Sequence, residues 1–309
     1  MSKSTLVSII APCYNGERYI RSLLESVLYQ DYDSLEFIAI DDGSTDNTLN
    51  ILNSYKKKFK KRNIRYVVIS KENGGLVSAI NRGLKEFSGD YINFIGQDDY
   101  FTNDSIKKRV DFLEKNRNID VVWAATNVVD GVSGEIIEVW REIHDPPRKN
   151  LFVDMILHRG YVWPPAAKLV RASTFLKVNP ERFLSEFDPG ENIQIFLPIY
   201  YKGNNVGYID EPLAYVTDHK DSYSRKSRDE EATRKYQLEI RDIFLDTLQK
   251  INMPSDERDK YINMVIDRYK KYEQRKRVLH KIISDKDELS QLYELDEKRF
   301  RQHYAANPN

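Results

Sequence analysis

Two pairs of adjacent carboxylates follow apolar runs in this chain. Asp41 and Asp42 come directly after "EFIAI", and Asp98 and Asp99 come shortly after "YINFI". Like charges side by side cost free energy unless a partner, a metal ion or solvent accommodates them. Carboxylates at a strand end can hold Mg²⁺ or Mn²⁺, with waters and substrate phosphates completing the shell. The alternative is a solvated turn that caps the following helix, and the pairs alone leave both interpretations open.

Alternating strands and helices position these carboxylates. Apolar runs predict four strands in the first hundred residues: 6–11, 36–40, 64–70 and 91–95. Helical spacing predicts three helices between them: 17–30, 48–59 and 75–87. Such alternation implies a parallel sheet covered by helices, with ligands at the carboxyl ends of the strands. The polar segments after the strands then meet at one edge: 12–16, 41–46, 73–75 and 96–99.

The pattern changes further along the chain. Strands are expected at 121–129, 135–140 and within 161–171, and a helix weakened by Pro198 at 193–203. From Ser227 onward, long charged segments carry amphipathic stripes that Pro254 separates into two helices. We therefore predict a domain over 1–224, made of halves 1–100 and 101–224, and a charged helical extension over 225–309.

The composition narrows the class of protein. The 48 basic and 48 acidic residues cancel, which argues against a nucleic-acid partner held by bulk electrostatics. The single cysteine, Cys13, excludes an internal disulfide framework and suits a reducing compartment. The chain has neither the apolar core of a signal peptide nor a membrane-spanning stretch, so we predict a cytoplasmic protein.

Two common nucleotide-binding loops are missing from the sequence. No G-x-G-x-x-G follows the first strand and no G-x-x-x-x-G-K-[ST] occurs, so a dinucleotide dehydrogenase and a P-loop NTPase lose support. The segment after the first strand is "APCYNG". The sequence has no phosphate-cradling loop and no obvious lysine beside the acids. If the substrate has a diphosphate leaving group, we expect a divalent cation to neutralise the charge that builds on it.

The first hundred residues carry a specific resemblance. "VSIIAPCYNGERYIRSLLESVLYQDYDSLEFIAIDDGSTDNTLNIL" and "ENGGLVSAINRGLKEFSGDYINFIGQDD" resemble the family 2 glycosyltransferases, which have the GT-A fold. A weaker match runs through "PPAAKLVRASTFLKV" to "DEPLAYVTDHKDSYS" and extends the resemblance over roughly the first 224 residues. The resemblance implies an α/β, Rossmann-like GT-A fold with a mostly parallel sheet flanked by helices. It also implies inverting transfer from a nucleotide diphosphate sugar.

The resemblance assigns roles by position. Pro12 and Tyr14 match residues that line the base, and Asp42 matches the acid that hydrogen-bonds it, usually uracil. The full donor set that it implies is Pro12, Tyr14, Asn15, Asp41, Asp42, Ser44, Asn73, Gly75, Asn81, Gln97 and Asp98. Mn²⁺ or Mg²⁺ would be held by Asp98, the metal-binding acid of the family's D-x-D element, with Asp99 and His219.

Three positions depart from the family pattern. The first acid of D-x-D falls at Gly96, so its contact is lost or supplied by Gln97, and Ile80 replaces a common arginine. The acceptor half usually shows an "E-D" pair that supplies the catalytic base, and here Glu191 is followed by Asn192. A base would deprotonate the acceptor hydroxyl as it attacks the anomeric carbon. We expect Glu191 in this role, with Asp188 as the rival, and an ordinary first-turn acid as the alternative.

The resemblance also implies partners. The donor would be a UDP-sugar, and the acceptor a glycan or lipid-linked glycan in surface polysaccharide or lipopolysaccharide synthesis. The basic segment 268–277 could touch anionic lipid at the inner face of the plasma membrane, or the last helices could pack on the catalytic domain or form a homodimer. Trp163 could form a floor for a sugar, with core packing as the alternative. A sugar nucleotidyltransferase and a non-catalytic nucleotide-sugar binder remain alternative functions.

Overall fold

The computed structural model describes residues 5–141, 150–157, 164–187, 190–201, 203, 205–219 and 229–282, with the backbone alone at 230 and 271–282. The chain divides into two compact units. The first consists of Met1–Glu142 and Trp163–Ser227, and the second of Ile143–Val162 and Arg228–Asn309. The segment 143–162, which we predicted to belong to the catalytic domain, thus groups with the C-terminal helices.

The first unit begins with four parallel strands. In spatial order they are β3 (Arg65–Ser70), β2 (Leu35–Asp41), β1 (Val7–Cys13) and β4 (Tyr91–Phe94). The connecting helices are α1 (Ile20–Leu28), α2 (Thr48–Ser54), α3 (Lys56–Lys61) and α4 (Leu76–Leu84). Ile9 and Phe37 join side chains of α1 and α3 in one buried cluster, whereas Gly83 of α4 packs against Ile10. Helices therefore cover both faces, which explains why these strands are nearly continuous apolar runs.

The rest of the sheet is mixed. β8 (Lys168–Arg171) pairs antiparallel with both β4 and β6 (Val121–Asp130). β9 (Val206–Asp218) runs parallel to β6, while β5 (Tyr100–Phe101) pairs with β9 and β7 (Ile136–Trp140) with β6, both antiparallel. The remaining helices of this unit are α5 (Ser105–Lys115), a short 3-10 helix (Pro165–Ala167), α7 (Ala172–Val178) and α8 (Glu191–Tyr200). The predicted α/β architecture is confirmed, but the sheet is parallel only in its first half and mixed beyond it.

Several elements differ from the sequence prediction. The helix expected at 48–59 is two helices that meet at Tyr55, and the helix expected at 193–203 begins at Glu191. Neither α6 (Leu151–Leu157) nor α7 was predicted, and β5 and β9 were missed as well. β9 contains Asp210, Glu211 and Pro212, and its register against β6 shifts beside them. A polar break in mid-strand conceals the apolar pattern that predicts a strand.

The second unit is helical where it is described. It contains α6, α9 (Glu230–Lys250) and α10 (Ser255–Ile282). Asp229 caps α9 by accepting a hydrogen bond from the backbone N–H of Ala232 at 2.8 Å. Phe152 of α6 packs edge-on against Tyr261 of α10 with ring centroids 4.8 Å apart. The predicted C-terminal helices are confirmed. Within the described part of the chain, no helix is long and apolar enough to cross a bilayer.

Candidate functional site

Side-chain hydrogen bonds tie the loops after β1 and β2 to each other. The backbone N–H of Asn15 donates to Ser44 Oγ at 3.0 Å, and Asn15 Oδ1 accepts from the N–H of Thr45 at 2.8 Å. The N–H of Gly16 donates to Thr48 Oγ1 at 2.8 Å. Asn15 has a φ of 47°, a left-handed conformation that asparagine tolerates better than most residues. Both Asn15 and Ser44, predicted site residues, thus form the bridge between these two loops.

Gln97 connects the loop after β4 to the loop after β1. Its Oε1 accepts from the N–H of Tyr14 and its Nε2 donates to the carbonyl of Tyr14, both at 2.8 Å. A Cβ atom on Gly16 would lie 2.1 Å from Gln97 Oε1, so the two loops meet too closely for a side chain there. The side chain of Tyr14 is 47% exposed beside Pro12, at the end of β1. Gln97 therefore holds the backbone of Tyr14, and the contact predicted for it in place of an acid at Gly96 stays a prediction.

The buried thiol of Cys13 lies near carboxylates of both loops. Burial, and then the charges of Asp41 and Asp98, raise the pKa of this thiol. Cys13 pairs in register with Asp41 across β1 and β2. The acids that follow β2 and β4 therefore lie around the end of β1 at one edge of the sheet, as the strand pattern predicts.

Asp42 organises the turn between β3 and α4. Its carboxylate accepts from Lys71 Nζ at 2.5 Å, and from the N–H groups of Gly74 at 3.1 Å and Gly75 at 2.8 Å. The Asp42 side chain is 4% exposed and that of Lys71 is 24% exposed, so the ion pair is largely shielded from water. Gly75 has a φ of 86° at the start of α4. Asp42 thus holds the loop that contains Asn73 and Gly75.

Lys71 is a site residue that the sequence analysis missed. The residue before it, Ser70, pairs in register with Asp41, so Lys71 begins the loop beside Asp42. That register was the available signal. Ser70 Oγ also donates to Asp41 Oδ2 at 2.9 Å, while Asp41 Oδ1 has no hydrogen-bond partner among the described residues. Lys71 therefore places a positive charge beside Asp42, which the sequence did not predict.

Asp98 and His219 come together although they belong to different halves of the chain. Oδ2 of Asp98 lies 2.8 Å from Nε2 of His219. The ring of Tyr19 stacks on the imidazole, with centroids 4.6 Å apart and planes inclined by 22°. Thr217 Oγ1 donates to the backbone carbonyl of Asp98, which joins the end of β9 to this loop. The Asp98 side chain is 27% exposed and can reach a ligand at the sheet edge.

Asp99 is buried next to Asp98, and oxygens of both carboxylates lie near Gly96. Its Oδ1 accepts from the N–H of Thr217 at 3.2 Å, and the residue is 8% exposed. Burial and then the charge of Asp98 raise the pKa of Asp99 well above its usual range. The structure thus brings Asp98 and His219 of the predicted metal set into contact and buries Asp99 next to them against β9.

The separation of the Asp98 and His219 side chains fits two ligands of one divalent cation. Two ligands about 2.1 Å from a metal on neighbouring octahedral positions lie about 3 Å apart, which is close to the 2.8 Å between Asp98 Oδ2 and His219 Nε2. The carboxylate of Asp98 suits Mg²⁺ or Mn²⁺, whereas an imidazole ligand is more common on zinc, copper, iron or nickel. Among the described residues, no group of three or more His, Cys, Asp or Glu side chains is placed to hold a metal. Diphosphate oxygens and water would therefore have to supply most of the shell.

Glu191 is the first residue of α8. Its Oε1 accepts from Asn192 Nδ2 at 2.9 Å and its Oε2 from the N–H of Gly190 at 3.2 Å. Gln194, one turn along, exchanges two hydrogen bonds with the backbone of Ser185 and anchors this helix start. The rival base Asp188 and the candidate sugar floor Trp163 lie outside the described residues.

Asn81 has a structural role in this chain. Its Nδ2 donates to the carbonyl of Leu184 at 2.9 Å, and its Oδ1 accepts from the N–H of Leu184 at 2.7 Å. The residue is 6% exposed on α4. Its amide thus joins α4 to the segment after α7, and its place in the donor site stays a prediction.

The comparisons with known proteins agree with this geometry. The sequence model of the family described as glycosyl transferase family 2 matches residues 8–166. The chain belongs to this family. The match runs from β1 to the 3-10 helix and includes Asp42, Lys71 and Asp98, whereas Glu191 and His219 lie beyond it.

Family 2 relatives vary in the length they share with this chain. The putative glycosyltransferase EpsE of Bacillus subtilis is 29% identical over 227 residues, which is 74% of this chain and 78% of EpsE. Four Rickettsia relatives and one from Haemophilus influenzae, each called an uncharacterized glycosyltransferase, are 39–40% identical. The chain spans only 20–43% of their length.

Solved structures place this family 2 chain in the GT-A fold. Staphylococcus aureus TarS 1–349, crystallised with UDP-GlcNAc, superposes with a TM-score of 0.64 at 24% identity, over 85% of this chain and 72% of TarS. The mannosyltransferase PcManGT of Pyrobaculum calidifontis, with GDP-Man and Mn²⁺, gives a TM-score of 0.56 at 12% identity, over 98% and 83%. At these identities the likeness establishes the shared fold.

Proposed function

We propose that the protein is an inverting glycosyltransferase that moves a sugar from a UDP-sugar to a hydroxyl group of a glycan or lipid-linked glycan. The observation that carries the proposal is the arrangement of Asp42–Lys71 and Asp98–His219 on neighbouring loops of one sheet edge. The UDP-GlcNAc complex of TarS supports a donor of this class. Surface polysaccharide synthesis is the proposed setting.

The base of the donor would lie beside Asp42 and Lys71. The carboxylate of Asp42 accepts from Lys71 Nζ and from the N–H groups of Gly74 and Gly75, and the Gly74 N–H lies within hydrogen-bond distance of both oxygens. The N3–H of uracil would take the place of the longer Gly74 contact, at 3.2 Å to Oδ2. Lys71 supplies a positive charge next to it, which suits a base carbonyl oxygen, and the exposed ring of Tyr14 can stack on the base.

The diphosphate would lie toward Asp98 and His219. These residues would hold Mn²⁺ or Mg²⁺, and the Mn²⁺ complex of PcManGT supports a metal in this fold. When bound, the cation would neutralise the negative charge that builds on the departing diphosphate. The stacked ring of Tyr19 keeps the imidazole of His219 facing Asp98.

Glu191 would be the general base. A carboxylate at the start of α8, oriented by Gly190 and Asn192, can take the proton of the acceptor hydroxyl as its oxygen attacks the anomeric carbon. The C–O bond to the diphosphate breaks on the opposite face, through an oxocarbenium-like transition state. Inversion follows from this single displacement.

The variant Glu191→Gln tests this assignment, with Glu181→Gln, an exposed acid outside the site, as the matched control. We expect Glu191→Gln to lower turnover by at least about 100-fold while UDP affinity with Mn²⁺, measured by calorimetry, changes less than about two-fold. Unchanged turnover would exclude Glu191 as the base. A wild-type chain that binds neither UDP nor a UDP-sugar, with or without Mn²⁺, would overturn the proposed donor.

A non-catalytic nucleotide-sugar binder is the second candidate. It is favoured by Gly96 and Asn192, which stand where the family has acids. If the protein only binds nucleotide sugars, the wild-type chain would bind a UDP-sugar but would release no UDP with any acceptor that is added. Cytoplasmic location, membrane contact through 268–277 and a homodimer through the C-terminal helices remain predictions.

A further inference from the structure

Helix α3 carries a dense patch of positive charge on a chain whose net charge is zero. Six of the seven residues at 56–62, "KKKFKKR", are basic, and all six are exposed. The exception, Phe59, is fully buried. Its ring lies 4.3 Å from that of Tyr66 and 5.7 Å from that of Phe37, centroid to centroid. The aromatic anchor fixes the helix on the sheet and leaves the basic side chains pointing to solvent.

Most of this charge is not neutralised within the described residues. Lys58 pairs with Glu25 at 2.9 Å, and Arg62 with Asp33 at 3.4 Å. The other four side chains have no acidic partner among the described residues: Lys56, Lys57, Lys60 and Lys61. Like charges three and four residues apart destabilise a helix, and these lysines have that spacing. The folded chain gains nothing from this repulsion, so an anionic partner is the simplest reason for it.

The patch lies away from the candidate active site. The residue after α3, Arg62, donates to the carbonyls of Leu28 at 3.1 Å and Gln30 at 2.9 Å, in the segment that leads into β2. Arg65 then starts β3. The C-terminal end of α3 is therefore near the amino edge of the parallel strands, whereas the donor loops are at their carboxyl edge.

An exposed aromatic side chain adjoins the lysines. Tyr29 is 62% exposed and lies one helical turn after Glu25, whose carboxylate pairs with Lys58 at 2.9 Å. Tyrosine beside lysine is characteristic of the membrane–water interface, where the ring enters the headgroup layer and the long lysine side chains extend to the phosphates. The charge comes mostly from lysine, a hydrated point charge, and little from arginine, which favours the bidentate contacts of nucleic-acid recognition.

We propose that α3, together with Arg62 and Tyr29, is a docking surface for an anionic phospholipid membrane. Clusters of four to eight basic residues on an amphipathic helix are typical of surfaces that bind anionic lipid. Contact through this surface leaves the carboxyl edge of the sheet free to take up donor and acceptor. The proposal does not depend on the proposed function, since it concerns a different face of the molecule.

The test is co-sedimentation of the full chain with vesicles of phosphatidylglycerol mixed into phosphatidylcholine, against vesicles of phosphatidylcholine alone. The patch variant is K56Q/K57Q/K60Q/K61Q. The matched control removes the same charge from exposed positions elsewhere: K85Q/K115Q/R117Q/K177Q. We expect the wild-type chain to bind only the anionic vesicles, with weaker binding at high salt. Each lysine should contribute about five-fold to the partition coefficient, so the patch variant should lose more than about 100-fold and the control far less.

Three outcomes would overturn the proposal. They are absence of wild-type binding to anionic vesicles, equal binding to neutral vesicles, and equal losses in the two variants. Binding to duplex DNA without binding to vesicles would assign the patch to nucleic acid instead. Thermal unfolding of both variants shows whether either has a folding defect. UDP titration of both shows whether nucleotide binding is affected, which keeps the test of membrane binding separate from the test of the proposed donor.

Discussion

His219 Nε2 lies 2.8 Å from Asp98 Oδ2, across 121 positions of sequence. The contact joins the end of β9 to the loop after β4, and Tyr19 at the start of α1 stacks on the imidazole. Three distant segments of the chain thus converge on one pair of potential ligands. Substitutions at other positions, such as Tyr19, should therefore alter the position of Asp98 and His219.

We predict that Tyr19→Ala weakens Mn²⁺ binding whereas Tyr19→Phe does not. Ring stacking contributes about 0.5–1.5 kcal/mol, so the alanine variant should lose about two- to ten-fold in affinity. The Tyr19 hydroxyl is buried without a hydrogen-bond partner among the described residues, so its removal should matter little. Titration of Mn²⁺ into the UDP complex measures both. Equal losses in the two variants would assign the effect to the hydroxyl instead.

Lys71→Met should lower both stability and UDP affinity. The variant leaves the carboxylate of Asp42, which is 4% exposed, without its cation, and a hydrogen bond to a charged group contributes about 2 kcal/mol. Urea unfolding and calorimetry with UDP measure the two effects. Lys85→Met, at an exposed lysine at the C-terminal end of α4, is the control. A Lys71→Met variant that unfolds and binds UDP like the control would remove Lys71 from the site.

Gly16 and Gln97 should be energetically coupled. Gly16→Ala places a methyl group 2.1 Å from Gln97 Oε1, and such overpacking costs about 1–3 kcal/mol. Gln97→Ala removes the obstructing atoms, so Gly16→Ala should cost less in that background. Urea unfolding of the two single variants and the double variant completes the cycle, with an expected coupling of at least about 1 kcal/mol. If the losses in unfolding free energy of the two single variants add up in the double variant, the loops after β1 and β4 move apart without cost.

Glu36 should give the protein a pH-dependent share of its stability. Burial alone would raise its pKa, but hydrogen bonds from Ser8, Ser88 and Arg65 lower it below the ordinary value of 4.5. A lowered folded-state pKa contributes stability above the unfolded-state pKa, and that contribution is lost as the pH falls through the folded-state pKa. Glu36→Gln should therefore cost about 3 kcal/mol at pH 7.

The difference between wild-type protein and Glu36→Gln should shrink as the pH falls below about 4.5. Urea unfolding of both proteins at pH 7 and at pH 4 measures it. Glu86→Gln, a nearby acid on a more exposed surface, serves as the control. If the difference in unfolding free energy is the same at both pH values, Glu36 stabilises the protein through packing and neutral hydrogen bonds rather than through its charge.

The sequence was sufficient for the parts of the site that local patterns determine. Apolar runs located β1 to β4, and the rule for parallel sheets brought Asn15, Asp42 and Asp98 to one edge. The pattern failed where contacts depend on distant segments. Tyr19 reads as part of an amphipathic helix, and its stacking on His219 follows from the path of β9, which the polar residues around Pro212 conceal. The pairing of Lys71 with Asp42 needed the register of β2 and β3.

The hydrogen bonds of Asn15 and Gln97 also affect the thermodynamics of donor capture. Ordering a loop on binding costs conformational entropy, about 1–2 kcal/mol for each backbone residue fixed. In this protein, hydrogen bonds within the chain hold Ser44, Thr45 and the backbone of Tyr14. Because the chain makes these contacts itself, binding of a sugar nucleotide should require less ordering of the surrounding loops.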